Sequence, residues 1–217
     1  MSKVKSMNEA MSLIKDGMTI MIGGFMGIGT PEIFIDAMVE KGVKDLTIIA
    51  NDTGLPDKGI GKLIAKKQIK KVIASHIGLN PETGRQMNAR ELEVELVPQG
   101  TLVEQIRCGG AGIGGFLTET GIGTIIEEGK TKIKVGTKEY LLELPLRADL
   151  ALLRGSIVDK IGNVFYNGST RNFNPLMATA ADMVLVGAEK IVEVGELDPN
   201  YVMTPSIFVD YIVGGEK

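Results

Sequence analysis

The stretch Ile20-Met21-Ile22-Gly23-Gly24-Phe25-Met26-Gly27-Ile28-Gly29-Thr30-Pro31 constrains this chain more than any other. Its apolar, partly β-branched opening predicts a buried strand. Four glycines follow within seven residues, then Thr30-Pro31, then Glu32 to Met38 in a helical pattern. The Thr30 hydroxyl suits a helix cap, and Pro31 suits the first helical position, where its missing N–H costs nothing. Strand, bare loop and capped helix in this order predict exposed N–H groups at a helix N-terminus, a place for an anion such as phosphate. No Gly-Lys-Ser/Thr follows, so the loop is not a P-loop. The glycines also depart from G-x-G-x-x-G spacing, and Asp52 stands late for the ribose carboxylate of a dinucleotide fold.

The same alternation continues. Ser6 to Glu9 has capping-box spacing and opens a helix that stops near Asp16-Gly17. Leu46 to Ala50 reads as a strand ending in the polar turn Asn51-Asp52-Thr53-Gly54, residues 61–67 as a helix, and Lys71 to Ser75 as a strand. Glu91 to Val97 alternates and predicts a strand with one wet face. Thr101 to Glu104 has a second capping box, with a helix to about Arg107, and Cys108 to Phe116 reads as a glycine-rich loop. Residues 131–144 carry a hairpin signal around Gly136-Thr137. Leu150 to Leu153 and Met183 to Val186 read as core strands, and Asn174-Pro175 as the start of a helix to about Ala181. Together these predict an α/β fold: a mostly parallel open sheet flanked by helices, with a small antiparallel excursion. Neither a clear internal repeat nor a boundary emerges, so residues 1–217 are expected to form a single domain.

A net charge of −3 gives no reason to expect nucleic acid or an anionic membrane as a partner. The basic residues between Lys62 and Lys71 read as a solvated helix face. One cysteine, Cys108, precludes an internal disulfide, and no Cys/His cluster suggests a metal. No apolar run approaches the ~18 residues of a membrane span, and the start lacks an apolar signal core, so the expected location is the cytoplasm.

In parallel sheets ligands bind beyond the carboxyl ends of the strands. The residues to read are therefore Gly23 to Thr30, Asn51-Asp52, Ser75-His76 and Pro98-Gln99-Gly100. His76, the only histidine, lacks a partner and reads first as structural. Cys108 reads as an ordinary reduced thiol. Asn51 and Gln99 are amides that either bond turn backbone or donate to a carbonyl oxygen that turns negative in acyl transfer. No acidic residue stands in a setting that marks a nucleophile.

These residues resemble a family. Asp16-Gly17, Ile20 to Phe25, Gly29 and Pro31 are similar to the signature of the class I (3-oxoacid-type) coenzyme A transferases. So are Ile49 to Thr53, Pro98 to Thr101, Arg107 to Gly112 and Arg171 to Asn174, and the resemblance covers nearly the whole chain. It is strongest to the α subunits of enzymes acting on acetate, butyrate and acetoacetate. The resemblance implies a fold shared with some sugar-phosphate isomerases and CoA as substrate, with no further cofactor. It also implies a β subunit that supplies a glutamate nucleophile, in an α2β2 assembly. It places Gly24, Phe25, Met26, Gly27, Ile28, Gly29 and Thr30 at the CoA site, and Gln99 and Asn51 near the acyl group as supporting catalytic residues. Asp52 stands where some relatives carry a second amide, which leaves open whether Asn51 or Asp52 faces the site. Two other readings stand beside this one: a sugar-phosphate isomerase of the same fold, and a non-catalytic CoA-binding module.

Overall fold

The computed structural model describes residues 2–215. Helix α1 (Met7–Leu13) opens on the expected capping box: the Ser6 side chain accepts from Glu9 N–H and the Glu9 carboxylate from Ser6 N–H. It stops three residues before Asp16. Then come β1 (Thr19–Ile22), α2 (Glu32–Lys41), β2 (Leu46–Asp52), α3 (Ile60–Ala65), β3 (Ile69–His76), α4 (Pro81–Asn88), β4 (Glu93–Leu96) and α5 (Gln99–Ala111). A three-stranded antiparallel sheet follows, made of β5 (Phe116–Thr118), β6 (Lys132–Val135) and β7 (Lys138–Glu143), with β7 in the middle. The chain returns to the main sheet with β8 (Ala148–Asp159), β9 (Val164–Phe165), α6 (Asn174–Met177), β10 (Ala181–Val192) and β11 (Tyr211–Gly214).

The main sheet has the order β11-β10-β8-β1-β2-β3-β4, all parallel, with β9 antiparallel to the far end of β8. Strand alternation divides the core in two. Ile20, Ile22, Ile48, Ala50, Val72 and Ala74 face the cluster that holds Phe34, Ile35 and Met38 of α2 and Leu63 of α3. Met21, Ile49, Ile73, Ala151 and Leu153 face the cluster with Leu102 and Ile106 of α5 and Met177 of α6. Both faces are covered, so the strands are apolar runs, as a parallel sheet requires. Order reverses at β1: the chain goes to β2 on one side, while β8 lies on the other. That switch point is where a ligand crevice is expected.

Several local expectations are corrected. Helix α2 starts at Glu32, with Pro31 as its cap residue and no side-chain cap bond, so Thr30 does not cap it. Asn51 and Asp52 belong to β2 rather than to a turn. Thr101 does not cap α5 either: the helix already begins at Gln99, and the buried Thr101 hydroxyl has no hydrogen-bond partner among the described residues. The same helix runs through Cys108-Gly109-Gly110-Ala111, half of the expected loop. Glycine serves close approach there. A Cβ at Gly109 would overlap the Leu146 carbonyl, and one at Gly110 the Thr179 side chain. Helix α6 is only four residues, and its cap residue is Phe173. Strand β4 pairs with β3 alone, and its expected apolar face is covered only in part: Leu92 is buried and Val94 packs against the core, while Leu96 is 47% exposed.

A repeat not visible as sequence similarity appears in three dimensions. After β1, Phe25 and Ile28 bond as the two arms of a tight turn. After β2, Leu55 and Lys58 do the same. Gly24 and Gly29 flank the first turn and Gly54 and Gly59 the second, all four at positive φ.

Candidate active site

The site is built from the carboxyl ends of β1, β2 and β3 and the start of α5. Strand parity settles which residue of Asn51-Asp52 goes where. Asn51 lies on the Ile49 face, toward α5, and Asp52 on the Ala50 face, toward α2. The Gln99 side chain, on the first residue of α5, donates to Asn51 Oδ1 at 2.9 Å. The single Ser75 O–H, from β3 on the same face, is shared between Asn51 Oδ1 at 2.8 Å and the Asn51 carbonyl at 2.7 Å. Asn51 is 2% exposed, and two donors fix its carboxamide oxygen. Its Nδ2 has no acceptor among the described residues, so that N–H pair is the end of the amide left for a ligand. Gln99 stands at the surface.

Asp52 turns to the other face, where its Oδ2 accepts from Met26 N–H at 2.9 Å. Burial pushes the Asp52 carboxyl above its ordinary pKa, while the N–H groups of Met26 and Gly54 and the neighbouring His76 pull it back. A folded-state pKa above the unfolded one means the folded chain holds this proton more tightly. Asp52 therefore takes stability away as pH rises from the ordinary carboxylate range to the folded value. His76 pairs in register with Asp52 and is exposed.

The expected anion cradle after β1 is mostly closed by the chain itself. Gly23 N–H donates to Leu152 O, Phe25 and Ile28 exchange both bonds, Thr30 N–H reaches Gly27 O, and Met26 N–H meets a carboxylate. Asn174 Nδ2 donates to Gly29 O and Thr170 O, and its Oδ1 accepts from Arg154 N–H, filling the switch-point crevice. Cβ atoms at Gly23 and Gly24 would overlap the side chains of Asn174 and Thr30. The turn thus presents side chains, and five of its N–H groups, those of Gly23, Phe25, Met26, Ile28 and Thr30, are taken within the chain. Met26 is 44% and Ile28 51% exposed, and Gly27 alone of its glycines has open space at the Cβ position.

That difference among glycines is testable. A Cβ at Gly29 would stand 2.6 Å from Thr170 O, at φ +82°. Gly29→Val is therefore expected to lower the melting temperature sharply. Gly27→Ala, strained by φ alone, should cost about 1–2 kcal/mol. Thermal unfolding of both variants checks the order.

Sequence reasoning singled out Asn51 and Gln99, and the structure brings them together. It did not single out Ser75 or Asn174 as site residues, although both stand in stretches it marked. Three of the five lysines of the basic stretch are held in ion pairs: Lys62 with Glu32 and Asp36, Lys67 with Glu91, Lys71 with Glu93 and Glu95. Cys108 is buried within α5. Among the described residues no group of three or more His, Cys, Asp or Glu is placed to hold a metal, and no helix is long and apolar enough to cross a membrane.

The coenzyme A transferase family model matches residues 4–215, and the chain belongs to that family. It is 57% identical to the acetate CoA-transferase subunit alpha of Escherichia coli K12, over 100% of this chain and 98% of that one. It is 58% identical to the acetoacetyl-CoA:acetate/butyrate CoA transferase alpha subunit of Clostridium acetobutylicum, over 98% and 97%. Among solved structures it is similar to an acyl-CoA transferase from Escherichia coli O157:H7 in a thioester complex with CoA. There the TM-score is 0.87 at 24% identity, covering 98% of this chain and 47% of that one.

Proposed function

We propose that this chain is the α subunit of a CoA-transferase that moves CoA between an acyl-CoA and a free short-chain carboxylate, while a β subunit supplies the glutamate nucleophile. The acyl groups are acetyl, butyryl or acetoacetyl, the chemistry named for the relatives of highest identity given above. The observation that carries the reading is the buried Asn51 amide, its oxygen fixed by Gln99 and Ser75 and its N–H pair left free. Neutral, pre-oriented donors suit an oxygen that becomes negative as a carboxylate attacks a thioester.

The partner's carboxylate attacks the acyl carbonyl and expels CoA as thiolate, leaving an acyl–glutamyl anhydride. The thiolate then attacks the glutamyl carbonyl, giving a glutamyl–CoA thioester and releasing the first carboxylate. The acceptor carboxylate reverses both steps, so no proton moves overall. In this scheme Asn51 and Gln99 support the tetrahedral oxyanion, and the turn from Gly24 to Thr30 meets CoA through Met26, Ile28 and the open edge at Gly27. CoA is substrate and product, and no other cofactor is needed. The chain acts as one domain in an α2β2 assembly in the cytoplasm.

A sugar-phosphate isomerase of the same fold needs an acid/base pair where two neutral amides stand. A module that merely holds CoA has no use for a buried amide with its N–H pair left open. The test is activity of the chain alone and with its β subunit co-expressed. The chain alone is expected to be inert and the pair to turn over acetoacetyl-CoA with acetate. Turnover by the isolated chain would refute the assignment.

A further inference from the structure

The carboxylate of Asp52 is buried at 4% exposure in the floor of the site, on the face away from Asn51, and the chemistry above gives it no part. Burying a carboxylate is costly, and this one is held above its ordinary pKa range. Its partners show what it does. It accepts the N–H of Met26, at the tip of the turn after β1, and it stands two residues before Gly54, at the foot of the turn after β2. Met26 holds φ at 53°, in the left-handed region, which strains a residue with a Cβ. The turn keeps its arms together through Phe25 and Ile28 without help. The N–H at the tip bonds to Asp52 alone among the described residues. A second carboxylate ties the two turns again: Glu32 on α2 accepts Gly59 N–H at 2.8 Å and Lys62 Nζ at 2.8 Å. The two turns are thus one stapled unit, with Asp52 as the staple nearest the exposed Met26.

We infer that Asp52 is a positioning residue for acyl-CoA: it holds the turn after β1, with Met26 in the left-handed conformation, in the shape that meets the CoA arm. The inference rests on the reading that this turn contacts CoA. It predicts an asymmetry between the two halves of the ping-pong reaction. In the first half CoA must be captured from solution as its thioester. In the second it is already bonded to the enzyme, so loss of turn geometry weighs less.

The experiment uses the α/β complex with Asp52→Ala and Asp52→Asn. Asp52→Ala removes the acceptor for the Met26 N–H. Asp52→Asn keeps an oxygen for Met26 but gives up the charge. Asp52→Ala should lower kcat/KM for acyl-CoA at least tenfold and change kcat/KM for the carboxylate less than threefold, with Asp52→Asn between it and the native enzyme. If Asp52→Ala fails to assemble, Asp52→Asn carries the same asymmetry at a smaller size. Equal losses in both halves, or no loss, would overturn the inference. Amide hydrogen exchange gives a readout independent of catalysis: the amides of residues 24–29 should exchange faster in both variants while those of α5 keep their rates. An unchanged turn in that measurement sinks the inference even if the complex is an active transferase. A native complex without transferase activity sinks the proposed function and leaves the exchange result to stand or fall alone.

Discussion

Asn51→Ala in the α/β complex is expected to lower kcat/KM by about 10²–10³-fold, roughly 3–4 kcal/mol, the loss usual for one pre-oriented oxyanion donor. The Asn51 oxygen already accepts from Gln99 and Ser75, so rotating the amide to present the oxygen instead would break two bonds. Only the N–H end is available, on a residue that is 2% exposed. Gln99→Ala should fall in the same range, and the double variant should lose little more than the worse single one. Residues acting as one unit give non-additive losses. Additive losses would mean that the two amides work separately, and the 2.9 Å bond between them would then have no role in turnover. Melting temperature on the same preparations separates chemistry from damage, because a structural pair would lower stability and leave turnover per folded molecule intact. His76→Ala is the control. It lies on the opposite face from Asn51, and an exchange of carboxylates requires no net proton transfer, so it should lose far less.

What was legible in the sequence was whatever a local period or a local turn encodes. β1, α2, β2 and the hairpin at Gly136 follow from runs and breaks within a dozen residues. The Ser6 capping box was legible for the same reason, since both partners lie three residues apart. α4 went unread because it buries Thr83 and Gln86, so no stripe of apolar residues marks it. Gly109 and Gly110 misled by composition. Glycine there answers to Leu146 and Thr179, which lie far along the chain. Thr30 misled in the opposite way. It has the chemistry of a cap and sits where a cap should be, yet its hydroxyl lies against Gly24.

The site divides similarly. Asn51 and Gln99 were legible singly, as amides beyond strand ends, but their contact joins residues far apart in sequence and depends on the parallel pairing of β2, β3 and β4. The choice between Asn51 and Asp52 reduces to strand parity. It could have been taken from Ile49 and Ala50 once the α5 side was known, and no local signal says which side that is. The glycine turn was legible as a loop between a strand and a helix, but the acceptors that five of its N–H groups find were not. Leu152, Asp52 and the other arm of the turn take them. The resemblance supplied what parity and spacing could not, the substrate and the missing nucleophile.

Acyl-CoA mixed with the α/β complex in the absence of an acceptor should leave CoA bonded as a thioester to a glutamate of the β subunit, with every glutamate of this chain unmodified. Borohydride reduces an enzyme thioester to an alcohol, so a peptide map reports the residue. The physical ground lies in how this chain's carboxylates are spent. Glu32 holds Gly59 and Lys62, Glu82 is drawn down to about pH 2 by Arg85 and Gln86, and Glu143 is buried against Lys130 and Gln105. Asp52, the carboxylate closest along the chain to Asn51, faces the other side of the sheet and is tied to Met26. The amide pair has no carboxylate among its partners. A nucleophile from outside can meet Asn51 in a cleft that closes only on assembly, and excluding water there strengthens every donor aimed at the oxyanion. A labelled glutamate within residues 1–217 would reverse the division of roles and require Asn51 to position a carboxylate of its own chain.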